Sequence, residues 1–121
     1  MKKILLIEDD FSLMETVCLY LEAKGHDVKT ASTGEAAVDM VRQEKNSFDV
    51  ILCDINLPDI LGYDVYKITR TIGYNVSKFI FLTAYADKVF IDDATRLGVD
   101  GYMTKPFIFD DLLALIDKHT I

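Results

Sequence analysis

The sequence has little of what several classes of protein need. It contains two cysteines in 121 residues, Cys18 in a predicted helix and Cys53 in a predicted strand, and they form neither a metal-ligand spacing nor a disulfide framework. We interpret both as buried thiols that pack as small apolar side chains. Basic charge is also scarce, because thirteen Lys plus Arg stand against twenty Asp plus Glu, for a formal charge of −7. No basic stripe is available for a phosphate backbone, so we expect no direct nucleic-acid binding.

Long apolar runs are missing as well. The N-terminal stretch MKKILLIEDDF has four apolar residues, 4–7, between two lysines and three acids, which is far too few for a signal-peptide core or a membrane span. No linker, low-complexity segment or charge run interrupts the chain. We therefore expect a single cytoplasmic domain over residues 1–121, not bound to a membrane and large enough to bury one core without metal or disulfide staples.

The chain does contain a regular alternation of strand-like and helix-like segments. The strand-like runs are ILLI (4–7), DVKTAS (27–32), VILCD (50–54), KFIFLT (78–83) and GYMT (101–104). Each is followed by apolar residues at helical spacing. We expect helices over residues 11–24, 62–71 and 87–97 approximately, one that starts at Ser32 or Thr33, and a last one after Pro106. Five such units joined by short loops predict an α/β fold in which helices cover both faces of a parallel sheet.

Two helix boundaries have specific signals. Gly25 follows the first helix, where glycine commonly ends helices. Ser32 and Glu35 have the spacing of a capping box at the start of the second helix.

Polar residues follow four of the five strands. They are Glu8, Asp9 and Asp10 after the first strand, Asp54 at the end of the third, Thr83 after the fourth, and Lys105 after the fifth. Because the carboxyl ends of parallel strands meet at one edge of a sheet, we expect these side chains to converge. Clustered carboxylates repel each other unless a cation lies among them. Oxygen ligands without nearby histidine or cysteine suit Mg²⁺, and neither His26 nor His119 follows a strand.

An aspartate beside Mg²⁺, with a lysine and a hydroxyl close by, is equipped for phosphoryl transfer. The Asp54 carboxylate can attack phosphorus directly, while Lys105 neutralises phosphoryl oxygens and Thr83 donates a hydrogen bond. Taken singly, each residue has an ordinary interpretation, since acids favour the first turn of a helix and most lysines lie at the surface. Their joint occurrence at strand ends favours the site.

Four stretches of the chain resemble, in order and spacing, the receiver domain of response regulators in two-component signalling. They are ILLIEDD (4–10), DVILCDINLPDILGYDV (49–65), FIFLTAYAD (79–87) and GYMTKPF (101–107). The resemblance covers essentially the whole chain. It implies a three-layer (βα)5 flavodoxin-like sandwich with a five-stranded parallel sheet in the order 2-1-3-4-5. It further implies that Asp54 accepts a phosphoryl group from a histidine kinase or a phosphotransfer protein, with Mg²⁺, or Mn²⁺ in its place, as cofactor. Such a chain catalyses only its own phosphorylation and dephosphorylation and is not otherwise an enzyme.

The resemblance also assigns roles to individual residues. Mg²⁺ would be held by Glu8, Asp9, Asp54 and the backbone carbonyl of Asn56. Thr83 and Lys105 would contact the phosphoryl group. Tyr102 would be the aromatic switch residue, and Pro106 would follow the lysine through a cis peptide bond. One assignment stays open, because three acids stand in a row and the metal-binding pair is either Glu8 with Asp9 or Asp9 with Asp10. Glu8 departs from the two aspartates that many family members have.

The resemblance further predicts how a signal would leave the site. Phosphorylation would draw Thr83 inward, Tyr102 would turn inward, and the face made by the fourth helix, fifth strand and fifth helix would change. Together with Tyr102, Phe90 makes this face a candidate surface for a partner or a homodimer. Asn56 and Tyr85 each lie two residues after a site residue, and we expect Tyr85 to slow self-hydrolysis by shielding the phosphoryl group.

Three other interpretations compete. A metal-dependent phosphatase with an aspartyl nucleophile would need an acid two residues later, where this chain has Asn56, which cannot act as one. A flavodoxin-like binding module would not place three acids where a cofactor phosphate binds. A receiver that only docks proteins would not need every site residue to be present.

Overall fold

The computed structural model describes residues 2–43, 48–73, 78–84 and 88–117, and for residues 88–91 and 94 it describes the backbone only. The strands are β1 (Lys3–Ile7), β2 (Asp27–Ala31), β3 (Val50–Asp54), β4 (Lys78–Thr83) and β5 (Gly101–Thr104). The helices are α1 (Phe11–Ala23), α2 (Gly34–Gln43), α3 (Gly62–Thr71), α4 (Lys88–Leu97) and α5 (Phe109–Asp117).

The five strands form one parallel sheet in the order β2-β1-β3-β4-β5. The predicted α/β class and strand order are therefore confirmed. Reversal of the strand order occurs at β1, so the carboxyl ends of β1 and β3 flank the point where open α/β sheets build their sites.

Two apolar clusters lie on opposite faces of the sheet. One contains Leu5, Ile7, Ile51 and Cys53 of the strands with residues of α2 and α3. The other contains Ile4, Leu6, Val50 and Leu52 with residues of α1 and α5. Since side chains alternate along a strand, each of these strands supplies both cores, which explains why the central strands are continuous apolar runs.

Of the two helix-boundary signals in the sequence, one agrees with the structure and one does not. Gly25, after α1, has a φ of +92°, a conformation that favours glycine. Asp10 caps the start of α1, because its carboxylate accepts a hydrogen bond from the Leu13 N–H at 3.1 Å. The capping box predicted for Ser32 and Glu35 was wrong, because the Glu35 N–H donates to Asp59; of the two starts left open, Ser32 and Thr33, the second agrees with the structure. Thr33 is the capping residue, since its hydroxyl oxygen accepts from the Ala36 N–H at 3.0 Å.

The thiol prediction was correct for one cysteine only. Cys53 is fully buried within β3, and burial raises the pKa of its thiol well above its ordinary value. Cys18 is half-buried at the edge of the α1–α5 core. In the described part of the chain, no helix is long and apolar enough to span a membrane.

Candidate functional site

Strand register brings the predicted residues to one edge of the sheet. Ile7 of β1 lies opposite Cys53 of β3, so the next residues of the two segments, Glu8 and Asp54, reach the edge side by side. Thr83 ends the neighbouring strand β4, and its carbonyl oxygen accepts from the Lys105 N–H at 2.6 Å. Residues separated by up to 97 positions in sequence therefore meet at the carboxyl ends of the strands.

Three carboxylates form a cluster at this edge. Glu8, Asp9 and Asp54 each offer an oxygen, and these oxygens all lie within 4.8 Å of one another. Glu8 and Asp54 are buried, with 1% and 6% of their surface exposed, whereas Asp9 is exposed. Such a set of oxygen donors, open to solvent on one side, fits Mg²⁺. Asp10 is absent from the cluster because its carboxylate caps α1.

Lys105 links the two buried acids of the cluster. Its ammonium nitrogen lies 2.5 Å from Oε1 of Glu8 and 2.9 Å from Oδ2 of Asp54. Burial raises the pKa of Glu8 to about 7, although the hydrogen bond from Lys105 opposes that change. Burial also disfavours the charged lysine, but hydrogen bonds to the two carboxylates outweigh it and raise the Lys105 pKa. The Lys105–Pro106 peptide bond is cis.

The backbone after β3 holds the second oxygen of Asp54. The Asn56 N–H donates to Asp54 Oδ1 at 3.2 Å, and Asn56 forms an antiparallel bridge with Leu61. The Gly62 N–H donates to the Ile55 carbonyl at 2.7 Å. A Cβ at Gly62 would lie only 2.5 Å from the Asp54 carbonyl oxygen, so the close return of α3 to the strand end requires glycine.

The two predicted switch residues lie on adjacent strands and differ in exposure. Thr83 is buried and has 1% of its surface exposed, while Tyr102 of β5 is 38% exposed. Tyr85 lies outside the described residues, as does His119, and only the backbone of Phe90 is described. The predictions made for Tyr85 and Phe90 therefore remain predictions.

One contact at the site was missed by the sequence reasoning. The carboxylate of Asp59, in the loop between β3 and α3, accepts hydrogen bonds from the Gly34 and Glu35 N–H groups at the start of α2, both at 2.8 Å. The partners are separated by 25 and 24 residues. Capping motifs are recognised by local spacing, so no signal in the sequence indicated this one.

An apolar surface adjoins the carboxylate cluster. Two large side chains in the segments that flank it are highly exposed, Phe11 at the start of α1 (69%) and Ile108 just before α5 (67%). Between these segments lies a cavity of about 350 Å³ lined by Asp10, Leu13, Lys105, Pro106, Phe107 and Phe109. Lys105 therefore belongs both to the cavity wall and to the site. We call the set Phe11, Leu13, Phe107, Ile108 and Phe109 the apolar rim.

Comparison with known proteins gives a consistent result. A family model described as the response regulator receiver domain matches residues 4–117. The chain is 36% identical over 117 residues to the cell cycle response regulator CtrA of Brucella ovis, covering 94% of this chain and 48% of that protein. The chain spans about half the length of the curated relatives it matches.

Two solved structures are similar over nearly the whole chain. The non-phosphorylated HemR receiver domain from Leptospira biflexa has a TM-score of 0.88 at 30% identity, covering 100% of this chain and 98% of that one. A response regulator from Burkholderia pseudomallei, solved with a phosphorylated aspartic acid, a calcium ion and citrate, has a TM-score of 0.84 at 25% identity, covering 97% of this chain and 67% of that one.

Proposed function

The chain belongs to the response regulator receiver domain family, and from that premise we propose that Asp54 is its phosphoacceptor. The donor would be a histidine kinase or a histidine phosphotransfer protein. The observation that carries the proposal is the bridge from the Lys105 ammonium to the carboxylates of Asp54 and Glu8. That arrangement holds a buried carboxylate beside a positively charged ammonium, as phosphoryl transfer requires.

In the proposed reaction, a carboxylate oxygen of Asp54 forms a bond to phosphorus. The bond from phosphorus to the donor's histidine nitrogen breaks, and the electron pair leaves with that nitrogen. Lys105 neutralises charge on the phosphoryl oxygens, and the Thr83 hydroxyl donates a hydrogen bond to one of them. Asp54 acts as the ionised form, so no general base is needed. Gain and loss of this phosphoryl group would be the only reactions that the chain catalyses.

The metal expected for this chemistry is Mg²⁺, with Mn²⁺ as a substitute that accepts the same oxygen ligands. Glu8, Asp9 and Asp54 would hold it, since their oxygens lie within 4.8 Å of one another, and the backbone carbonyl of Asn56 would complete the protein ligands. When bound, the ion supplies positive charge that offsets the charge of the phosphoryl oxygens. The three carboxylates outnumber the ammonium of Lys105, which contacts two of them, and this favours a divalent cation.

The test uses a small phosphodonor, so that it does not depend on finding the kinase. Wild type, Asp54→Asn and the exposed α2 variant Asp39→Asn are incubated with Mg²⁺ and acetyl phosphate, and intact mass is measured. We expect one phosphoryl group on wild type and Asp39→Asn, and none on Asp54→Asn or on wild type with EDTA. A missing adduct on wild type, or an adduct that persists in Asp54→Asn, would contradict the proposal.

The output would come from a change at the face formed by α4, β5 and α5. We propose that phosphorylation draws Thr83 towards the phosphoryl group and that Tyr102 turns inward in response. The partial exposure of Tyr102 supports this, because a side chain that is partly exposed can become more buried when it turns inward. The same face is the proposed surface for a homodimer, to be tested by comparing the mass in solution of Phe90→Ala and wild type, each with and without phosphorylation.

The apolar rim is the proposed docking surface for the phosphodonor protein. A histidine that reaches Asp54 must approach over the edge of the sheet, where Phe11 and Ile108 are exposed. Exposed apolar patches beside a reaction site commonly mark protein partners.

A further inference from the structure

The loop that follows the phosphoacceptor is tied to the start of another helix. This loop, residues 55–61 between β3 and α3, carries Asp59, whose two carboxylate oxygens each accept one backbone N–H of α2, from Gly34 and from Glu35, both at 2.8 Å. The first N–H groups of a helix have no partner within the helix, and the helix dipole favours a negative charge there. The carboxylate of Asp59 therefore links the loop to α2 through two charge-assisted hydrogen bonds.

The next residue strengthens the same junction through packing. A Cβ added to Gly34 would overlap the Ile60 side chain and lie 3.2 Å from a methyl group of Val65. Ile60 therefore sits directly on the backbone of α2 at its first residue. One polar and one apolar contact fix the middle of the loop.

The two ends of the loop contact the phosphoacceptor strand. Near its start, the Asn56 N–H donates to Asp54 Oδ1 at 3.2 Å. Near its end, Leu61 bridges Asn56, and the Gly62 N–H that follows donates to the Ile55 carbonyl at 2.7 Å. The position of the Asn56 backbone against Asp54 thus depends on how the whole loop is held.

We infer that Asp59 is a positioning residue for phosphoryl transfer, because it anchors the loop to α2 and thereby keeps the Asn56 backbone in place at Asp54. This inference rests on the proposed function. Asp59 touches none of the reacting atoms and acts only through the loop.

The ionisation of Asp59 is consistent with this role. Burial favours the neutral form, but hydrogen bonds from the N–H groups of Glu35 and Gly34, with those of Ile60 and Asp59, together lower the pKa of the carboxyl below its ordinary value. The anchor is therefore fully charged at neutral pH.

The structure supplies a matched control for Asp59. Thr33 also caps α2, since its hydroxyl oxygen accepts from the Ala36 N–H at 3.0 Å, but this contact lies entirely within residues 33–36. Loss of either cap weakens the start of α2. Of the two, only the loss of Asp59 also releases the loop. Comparison of Asp59→Ala with Thr33→Ala therefore separates positioning from helix stability.

The experiment measures the loop before any phosphorylation and the reaction afterwards. Hydrogen exchange of the Asn56 and Gly62 amides is followed in wild type, Asp59→Ala, Asp59→Asn and Thr33→Ala. Mg²⁺ affinity is then measured by intrinsic tyrosine fluorescence, and the phosphorylation rate with acetyl phosphate by intact mass.

We expect Asp59→Ala to speed exchange at both amides, to weaken Mg²⁺ binding about tenfold, the lower end of the loss found when a group that supports a metal ligand is removed, and to slow phosphorylation. Asp59→Asn keeps one acceptor oxygen and recovers part of each loss. Thr33→Ala lowers the melting temperature but leaves exchange at Asn56, Mg²⁺ affinity and rate at wild-type values.

Several outcomes would overturn the inference. They are wild-type exchange at Asn56 and Gly62 in Asp59→Ala, wild-type Mg²⁺ affinity in that variant, or losses in Thr33→Ala equal to those in Asp59→Ala. If Asp59→Ala does not fold, Asp59→Asn decides, because an anchor that needs both oxygens must be weakened by the amide. If wild type gains no phosphoryl group, the proposed function fails, while the exchange data still decide whether Asp59 holds the loop.

Discussion

The ammonium nitrogen of Lys105 lies 2.9 Å from Oδ2 of Asp54, although the two residues are 51 positions apart in sequence. The same nitrogen lies 2.5 Å from Oε1 of Glu8. One ammonium therefore offsets part of the negative charge of two buried carboxylates that would otherwise repel each other more strongly. These are also carboxylates that a metal ion would use, so the lysine and the metal would compete electrostatically for the same two side chains.

That competition predicts opposite effects of Lys105→Met on metal binding and on chemistry. Removal of the ammonium leaves the cluster more negative, so Mg²⁺ affinity rises severalfold. The phosphorylation rate with acetyl phosphate falls by about a hundredfold, in the range found when one group that stabilises transition-state charge is lost. Tyrosine fluorescence measures the affinity, and intact mass over time measures the rate.

The control for Lys105→Met is Lys67→Met, which removes an exposed ammonium on α3. It should leave both quantities unchanged. A Lys105→Met protein that binds Mg²⁺ more weakly than wild type, or reacts at the wild-type rate, would contradict the role given to Lys105.

A second prediction concerns the pH dependence of stability without metal. Burial raises the pKa of Glu8 from 4.5 to about 7 in the folded protein. Between these two pH values the folded state binds more protons than the unfolded state, so the free energy of unfolding falls as pH rises. The decline should begin near pH 4.5 and level off near pH 7.

Glu8→Gln is the matched control for that prediction, because it is nearly isosteric and does not titrate. Chemical denaturation at several pH values, with EDTA present, gives the free energy of unfolding of each protein. The difference between wild type and Glu8→Gln should fall across the stated window. A difference that is constant with pH, or that rises, would show that burial does not shift Glu8 as described.

A third prediction tests the apolar rim as the surface that receives the phosphodonor protein. Phe11→Ala should reduce the rate of transfer from the cognate histidine kinase by about tenfold, the loss typical of one anchoring aromatic. It should leave phosphorylation by acetyl phosphate unchanged, because a small donor needs no docking surface. The rate with acetyl phosphate is measured by intact mass. The rate of transfer from the kinase is measured by the loss of labelled phosphoryl groups from the kinase.

Leu19→Ala is the control for Phe11→Ala. Leu19 is also an exposed apolar residue of α1, at 60%, but it lies eight residues further along the helix, about 12 Å from Phe11 along the axis. Equal losses in the two variants would place the docking surface along the whole helix. No loss in Phe11→Ala would remove the rim from the proposal.

The fold and the central residues could be predicted from the sequence because their signals are local or topological. Apolar runs marked the strands, helical spacing marked the helices, and the rule that parallel strands end at one edge placed Glu8, Asp54 and Lys105 together. In the structure, the carboxylates of Glu8, Asp9 and Asp54 lie together. Asp10 caps α1 through the Leu13 N–H, which directs its carboxylate to the helix.

The contacts that sequence could not predict join segments far apart in the chain. Asp59 caps a helix that begins 25 residues earlier. Lys78, at the start of β4, is buried, and its ammonium donates to the Leu115 and Ile116 carbonyls at the end of α5, each at 2.9 Å. In both cases a charged side chain bonds backbone groups at a helix end, and only the packing of the elements decides which charge reaches which end.

The last prediction concerns transmission from Thr83 to Tyr102. Tyr102 is 38% exposed, and the proposed switch requires it to become buried after phosphorylation. The protein is labelled with fluorotyrosine, and the ¹⁹F resonance of residue 102 is assigned by its absence in Tyr102→Phe. This resonance should shift when acetyl phosphate and Mg²⁺ are added, and the side chain should become less accessible to solvent. Asp54→Asn should show no shift.

Thr83→Ala tests whether the hydroxyl carries the change. This variant should still gain a phosphoryl group, because Asp54 and Lys105 remain, but its Tyr102 resonance should stay near the unphosphorylated position. A shift from 1:99 to 99:1 between two states needs about 5.5 kcal/mol of differential stabilisation, and one charge-assisted hydrogen bond contributes about 1.5–3 kcal/mol of it. Loss of the Thr83 bond should thus move the population without abolishing phosphorylation. A phosphorylated Thr83→Ala protein with the full wild-type shift would show that Tyr102 responds to the phosphoryl group by another route.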